Sequence, residues 1–123
     1  MGAHAGALRV VWPAIALVVW GEITPTPGPI ETMMWDKALH FLAYFGLAGI
    51  ATVALKADRR VLAAVLGLAL LGGLLEIVQG FTGRDPSLFD EVANILGVLC
   101  GAGAGWLLIR ALRPKILAST LRD

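Results

Sequence analysis

"EIVQGFTGRDPSLFDEVANILG", Glu76 to Gly97, is the stretch on which the fold turns, because it sets Glu76, Gln79, Arg84, Asp85, Asp90 and Asn94 between two long apolar runs. The surrounding chain is 58% hydrophobic with a mean hydropathy of +0.79. Only 15% of its residues are charged, against about 25% in an ordinary soluble domain. A 123-residue chain of this composition reads as a single integral membrane domain, residues 1–123. The polar stretch then marks a place where the chain leaves the hydrocarbon layer and re-enters it.

A helix needs roughly 20 mostly apolar residues to cross that layer, fewer where its ends can snorkel. Working outward from the polar stretch, the third span runs from Val61 to Phe81 and the fourth from about Leu88 to Leu112. "WDKALHFLAYFGLAGIATVAL", Trp35 to Leu55, is the second, and about Leu8 to Ile23 the first. A cleaved signal peptide is the competing reading of the first, but a single basic residue precedes its core and no small-x-small cleavage site follows Trp20. The prolines of "TPTPGPIET" predict a semi-extended surface connection, and "KADRR" and "TGRDPS" predict tight polar turns. The expected fold is an all-α bundle of four transmembrane helices.

Charge orients the bundle. Arg9, Lys56, Arg59, Arg60, Arg110, Arg113, Lys115 and Arg122 share one side, and Lys37 and Arg84 the other. Basic residues favour the cytoplasmic face, so both termini are expected there, in a multi-pass protein of the inner or plasma membrane. Trp20, Trp35, Phe81 and Phe89 would form an aromatic belt at the outer interface. The basic residues are those the topology requires, so no nucleic-acid partner is expected.

Asp36, His40 and Tyr44 recur every four residues and share a helical face; Glu76 and Gln79 share one with Gly72; Asp90 and Asn94 share one with Gly97 and Gly101. An ionisable group facing lipid costs about 2.5–3.5 kcal/mol or more, so these faces should turn inward and meet in one outward-opening polar pocket. The glycines at 97, 101 and 105 serve close helix approach. Each polar residue also has a plainer reading. Ser87 and Asp90 match a capping box at the start of the fourth span, Asp36 suits a helix N-terminus, and Lys37 and Arg84 suit the interface as snorkelling cations. Tyr44 suits the core, and Gln79 and Asn94 suit interhelical hydrogen bonds. His40 and Glu76 resist such readings, and an intramembrane carboxylate is a functional candidate by default. The candidate catalytic residues are Glu76, His40 and Asp90, and the candidate substrate-binding residues are Asp36, Lys37, Tyr44, Gln79, Arg84 and Asn94. No tight ligand spacing marks a metal centre, so none is expected. An ion, if held, would use Asp36, His40, Glu76 and Asp90, an oxygen-rich set that favours Mg or Mn over Zn. The cofactor is unknown, and Cys100, alone in an apolar run, reads as packing.

"WDKALHFLAYFGLAG" resembles the D-K-x-x-H-F-x-x-Y-x-x-L opening of the VanZ-like family. "EIVQGFTGRDPSLFDEVANILGVLCGAG" resembles its E-x-x-Q and G-R-x-x-S-x-x-D-x-x-x-N-x-x-G stretch. The resemblance covers about Trp35 to Gly105, and nothing before Trp35 matches beyond being a span. It carries Asp36, Lys37, His40, Tyr44, Glu76, Gln79, Arg84, Ser87, Asp90 and Asn94 over as motif residues. It implies a link to teicoplanin susceptibility, with membrane lipids, a lipid-linked envelope precursor or a lipoglycopeptide as partner. Chemistry on such a lipid, non-catalytic capture and a structural role that only locks the bundle are the three functions to separate. Ion transport ranks below them, because the ionisable residues gather at the outer end alone.

Overall fold

The computed structural model describes residues 2–23, 31–83 and 86–121. The proline-rich connection at residues 24–30, together with Arg84 and Asp85, lies outside the described residues. The chain is all-helical, with α1 at Gly2–Ile23, α2 at Glu31–Ala54, α3 at Arg60–Phe81 and α4 at Leu88–Thr120. Three segments are long and apolar enough to cross a membrane: Asp36–Ala54, Arg60–Phe81 and Leu88–Lys115. Among the described residues, α1 is not one of them.

Helix ends overrun the apolar runs. α1 begins before Leu8, α2 begins at Glu31 within the stretch read as connection, and α4 continues through Pro114 to Thr120 instead of stopping near Leu112. Hydropathy marks where lipid begins and ends, whereas a helix continues for as long as its backbone hydrogen bonds do. The stops have local causes. At the end of α2 the Ala57 N–H reaches back to the Thr52 carbonyl at 2.9 Å and the Lys56 N–H to Val53 at 3.0 Å, a Schellman-type closure. That closure holds Lys56 and Ala57 at φ of 53° and 54°. α3 stops at Gly83, whose φ of 83° costs a glycine nothing.

Packing is inside-out relative to a soluble bundle. Leu62, Leu66, Leu70 and Leu74 form an exposed stripe along α3 at four-residue spacing, continued by Ile77. Leu39, Leu42 and Ile50 on α2 and Leu99 and Leu107 on α4 are exposed as well. A small apolar core forms around Tyr44, Leu47, Ala48, Leu68 and Val98, with Ala14, Ile15 and Val18 of α1 packed against it. The buried polar or charged residues are Glu22, His40, Thr52, Glu76, Gln79, Asp90 and Asn94. Of the expected aromatic belt, Trp20, Phe81 and Phe89 are exposed; the Trp35 side chain is outside the described set.

The most extensive interface joins α2 to α4, and glycine makes it possible. A Cβ on Gly97 would collide with the Phe41 carbonyl oxygen and one on Gly101 with that of Phe45. One on Gly105 would lie 2.9 Å from the Gly49 carbonyl oxygen. The three positions put the backbones of the two helices in contact, as small-xxx-small spacing does in membranes. Gly103, on the opposite side of α4, has open space around it. Gly103→Ala is therefore expected to leave the thermal unfolding midpoint in detergent at or slightly above the wild-type value, since alanine lowers the entropy of the unfolded chain.

Candidate functional site

The end of α1, the start of α2, the end of α3 and the start of α4 meet at one end of the bundle, and nearly all the buried polar groups lie there. Contacts between the helices fix this arrangement. Gln79 Nε2 on α3 donates to the Glu22 carbonyl oxygen on α1 at 2.8 Å. Lys37 Nζ on α2 pairs with Asp90 Oδ1 on α4 at 3.2 Å. The Ser87 N–H before α4 donates to Glu76 Oε2 on α3 at 3.1 Å. At the other end the buried polar group among the described residues is Thr52, whose hydroxyl donates to Ala48 O of its own helix at 2.7 Å.

His40 sits at the centre, 4% exposed. Asn94 Nδ2 donates to Glu91 Oε2 at 3.3 Å, which leaves Asn94 Oδ1 as the acceptor facing His40 Nδ1 at 3.0 Å. The other ring nitrogen, Nε2, faces the four-residue neighbour Asp36, whose Oδ2 is 3.7 Å away. Glu22 Oε1 approaches Nδ1 at 3.5 Å. Glu22 is also the principal charged neighbour of the fully buried Tyr44 hydroxyl.

Glu76 is 7% exposed. One of its oxygens takes the Ser87 N–H; the other, Oε1, is buried and has no hydrogen-bond partner among the described residues. Asp90, His40 and Glu91 are near enough to act on its charge. His40 and Glu76 belong to one cluster without sharing a hydrogen bond or ion pair among the described residues.

The helical faces meet as expected: Asp36, His40 and Tyr44 on α2, Glu76 and Gln79 on α3, and Asp90 and Asn94 on α4. Some individual roles differ. The capping-box reading of Asp90 does not hold, because the Ser87 N–H that a box would offer Asp90 goes to Glu76, and Asp90 turns to Lys37. Gln79 Nε2 donates to a helix-end carbonyl, and Tyr44 packs into the apolar core with its hydroxyl near Glu22. Arg84 lies outside the described residues. Two participants escape motif reasoning, Glu22 and Glu91. Each is an acidic residue beside an apolar run, the signal that marked Glu76.

Gly72 also belongs to the site. A Cβ there would stand 2.8 Å from Glu91 Oε2 and 2.9 Å from Asn94 Nδ2, so the missing side chain is what lets both reach across from α4. Gly72→Ala meets the side chains of Glu91 and Asn94, whereas alanine at Gly101 meets backbone. It is expected to lower the unfolding midpoint less than Gly101→Ala while displacing the amide that orients His40. Thermal unfolding of both variants in one detergent checks the ranking.

No family model matches the chain, and no curated protein or solved structure does so either. The chemistry of the site therefore rests on these side chains themselves.

Proposed function

We propose that this chain is a VanZ-like protein of the inner or plasma membrane with four spans, α1 included, and both termini in the cytoplasm. Its polar end opens on the outer side, where it binds or acts on a cell-envelope lipid or lipid-linked precursor and lowers susceptibility to teicoplanin. The observation that carries a functional reading over a structural one is Glu76 Oε1, buried and without a hydrogen bond among the described residues. A cluster kept only to lock helices gains by satisfying every buried acceptor, and a half-satisfied one is costly. An acceptor left open is what a general base or a ligand-binding carboxylate requires. In the catalytic form, Glu76 Oε1 takes a proton from a substrate hydroxyl or a water. Lys37, 34% exposed at its side chain and beside Asp90, stands where an anionic headgroup would meet it. In the binding form, the same groups hold the headgroup, and an acyl chain lies along the exposed apolar helix faces. That division supplies a physical route to discriminate teicoplanin, which carries a fatty acyl chain, from simpler glycopeptides.

A structural role is the second reading, favoured by the cross-bundle bonds of Gln79 to Glu22 and of His40 to Asn94. Teicoplanin and vancomycin susceptibility of a sensitive Gram-positive host separates the two, with membrane abundance measured in parallel. Wild type is expected to protect against teicoplanin selectively. Glu76→Gln, which keeps shape and hydrogen bonding, is expected at equal abundance to lose that protection if Glu76 is a base, and to retain part of it if Glu76 only binds. Loss of protection in proportion to loss of protein would favour the structural role.

A further inference from the structure

Among the described residues, the polar end carries an imbalance of charge. Glu22, Asp36, Glu76, Asp90 and Glu91 surround a site whose lysine, among the described residues, is Lys37. Acidic residues in a group are common and mean little alone, but here two further features converge. The first is the orientation of His40. Its Nδ1 is engaged by Asn94 Oδ1 at 3.0 Å, so its Nε2 points into the cluster, with the Asp36 Oδ2 carboxylate oxygen 3.7 Å away, beyond hydrogen-bond reach. A ring fixed through one nitrogen by an outer acceptor, with the other turned toward carboxylates, is the usual arrangement of a metal-ligating histidine. The second is Asp90, 5% exposed, whose Oδ1 is buried and makes no hydrogen bond among the described residues, with Lys37 Nζ as its charge neighbour at 3.2 Å. A ligand atom from each of Asp36, His40 and Asp90 falls within 4.8 Å of the others. Ligand atoms of a small divalent ion stand about 3.0 Å apart in cis and about 4.2 Å apart in trans, at a bond length near 2.1 Å, and three ligands hold at most one trans pair, so the side chains must draw together as the ion binds.

We propose that Asp36, His40 and Asp90 form a binding site for a divalent cation at the polar end of the bundle. One imidazole nitrogen and two carboxylate oxygens, with water filling the remaining positions, make a mixed set that suits Mn2+-like ions of octahedral preference. Asn94 is a positioning residue: it fixes the ring and does not touch the ion. Lys37 is the resident competitor. A cation that takes Asp90 Oδ1 releases the Lys37 ammonium toward the membrane surface, where it can meet an anion. The site stands on the geometry of these residues and does not depend on the lipid reading above.

The test is Mn2+ binding to the purified full-length chain in lipid nanodiscs, followed by electron paramagnetic resonance, with Mg2+ as competitor. Wild type is expected to bind Mn2+ at one site per chain. Asp90→Asn and His40→Gln are expected to weaken binding by about tenfold or more, as loss of a ligand or of its support does, and Cys100→Ala to leave it unchanged. Lys37→Met is expected to tighten binding severalfold, because it removes the competing ammonium without touching a ligand. It also keeps the test decisive if a ligand variant fails to fold. Absence of Mn2+ binding by folded wild type, binding undiminished in folded Asp90→Asn, or affinity unchanged or weakened in Lys37→Met would each overturn the proposal.

Discussion

Gly101→Ala is expected to separate α2 from α4 and to cost more stability than alanine at any other described glycine. The added Cβ would lie against the Phe45 carbonyl oxygen and close to its Cα and carbonyl carbon, all of them backbone atoms that cannot rotate away. Relief requires one helix to withdraw along the most extensive interface of the bundle. Withdrawal loosens Gly97 against Phe41 and Gly105 against Gly49 at the same time. Overpacking typically costs about 1–3 kcal/mol, and a rigid backbone obstacle places this position at the upper end or beyond. Unfolding by SDS titration in mixed micelles, read beside Gly103→Ala, gives the measurement. Equal stability of the two variants would mean that α2 and α4 do not meet at the glycines. Because Lys37–Asp90 and His40–Asn94 both span this interface, Gly101→Ala should also disturb the polar end from about two to three turns away.

Asn94→Leu is the second large effect. The side chain is fully buried and uses both ends: Oδ1 accepts from His40 and Nδ2 donates to Glu91. Leucine matches its bulk but strands a donor on one helix and an acceptor on its own. Each buried polar group left unsatisfied costs about 1–3 kcal/mol, moderated in membranes because the separated helices also find partners. The network further predicts non-additivity. His40→Ala should be costly in the wild-type background and much less so beside Asn94→Leu, where the bond it breaks is already gone. A double-mutant cycle on unfolding free energy should therefore show a coupling of about 0.5–3 kcal/mol. Additive losses would mean that His40 and Asn94 do not form the bond on which the ring's orientation depends.

Much of this organisation was legible in the residue pattern, for identifiable reasons. Lipid imposes long apolar runs, so the bodies of α2, α3 and α4 stood out, and a polar residue within such a run must turn away from lipid, so the inward faces of Asp36/His40/Tyr44 and Asp90/Asn94 followed from four-residue spacing. What spacing leaves open is which polar atom meets which. The Ser87 N–H had two acceptors within reach, one on its own helix and one on α3, and only the three-dimensional approach of α3 decides for Glu76 over Asp90. Glu22 illustrates the same limit. It closes an unmarked first helix, and its place beside His40 and Tyr44 depends on how α1 leans on α2. Gly72 is a third case, because a glycine that admits a backbone and one that admits a carboxylate look alike in sequence.

The outward placement of the polar end is tested most directly by labelling two single-cysteine variants, each in a Cys100→Ala background. Thr82→Cys, exposed just after α3, reports on the polar end, and Asp58→Cys, exposed between α2 and α3, reports on the opposite end. With a membrane-impermeant maleimide applied to intact cells, Thr82→Cys is expected to label at once and Asp58→Cys only after permeabilisation. The reverse pattern would put Glu76, His40 and Asp90 on the cytoplasmic side and contradict an envelope-facing site.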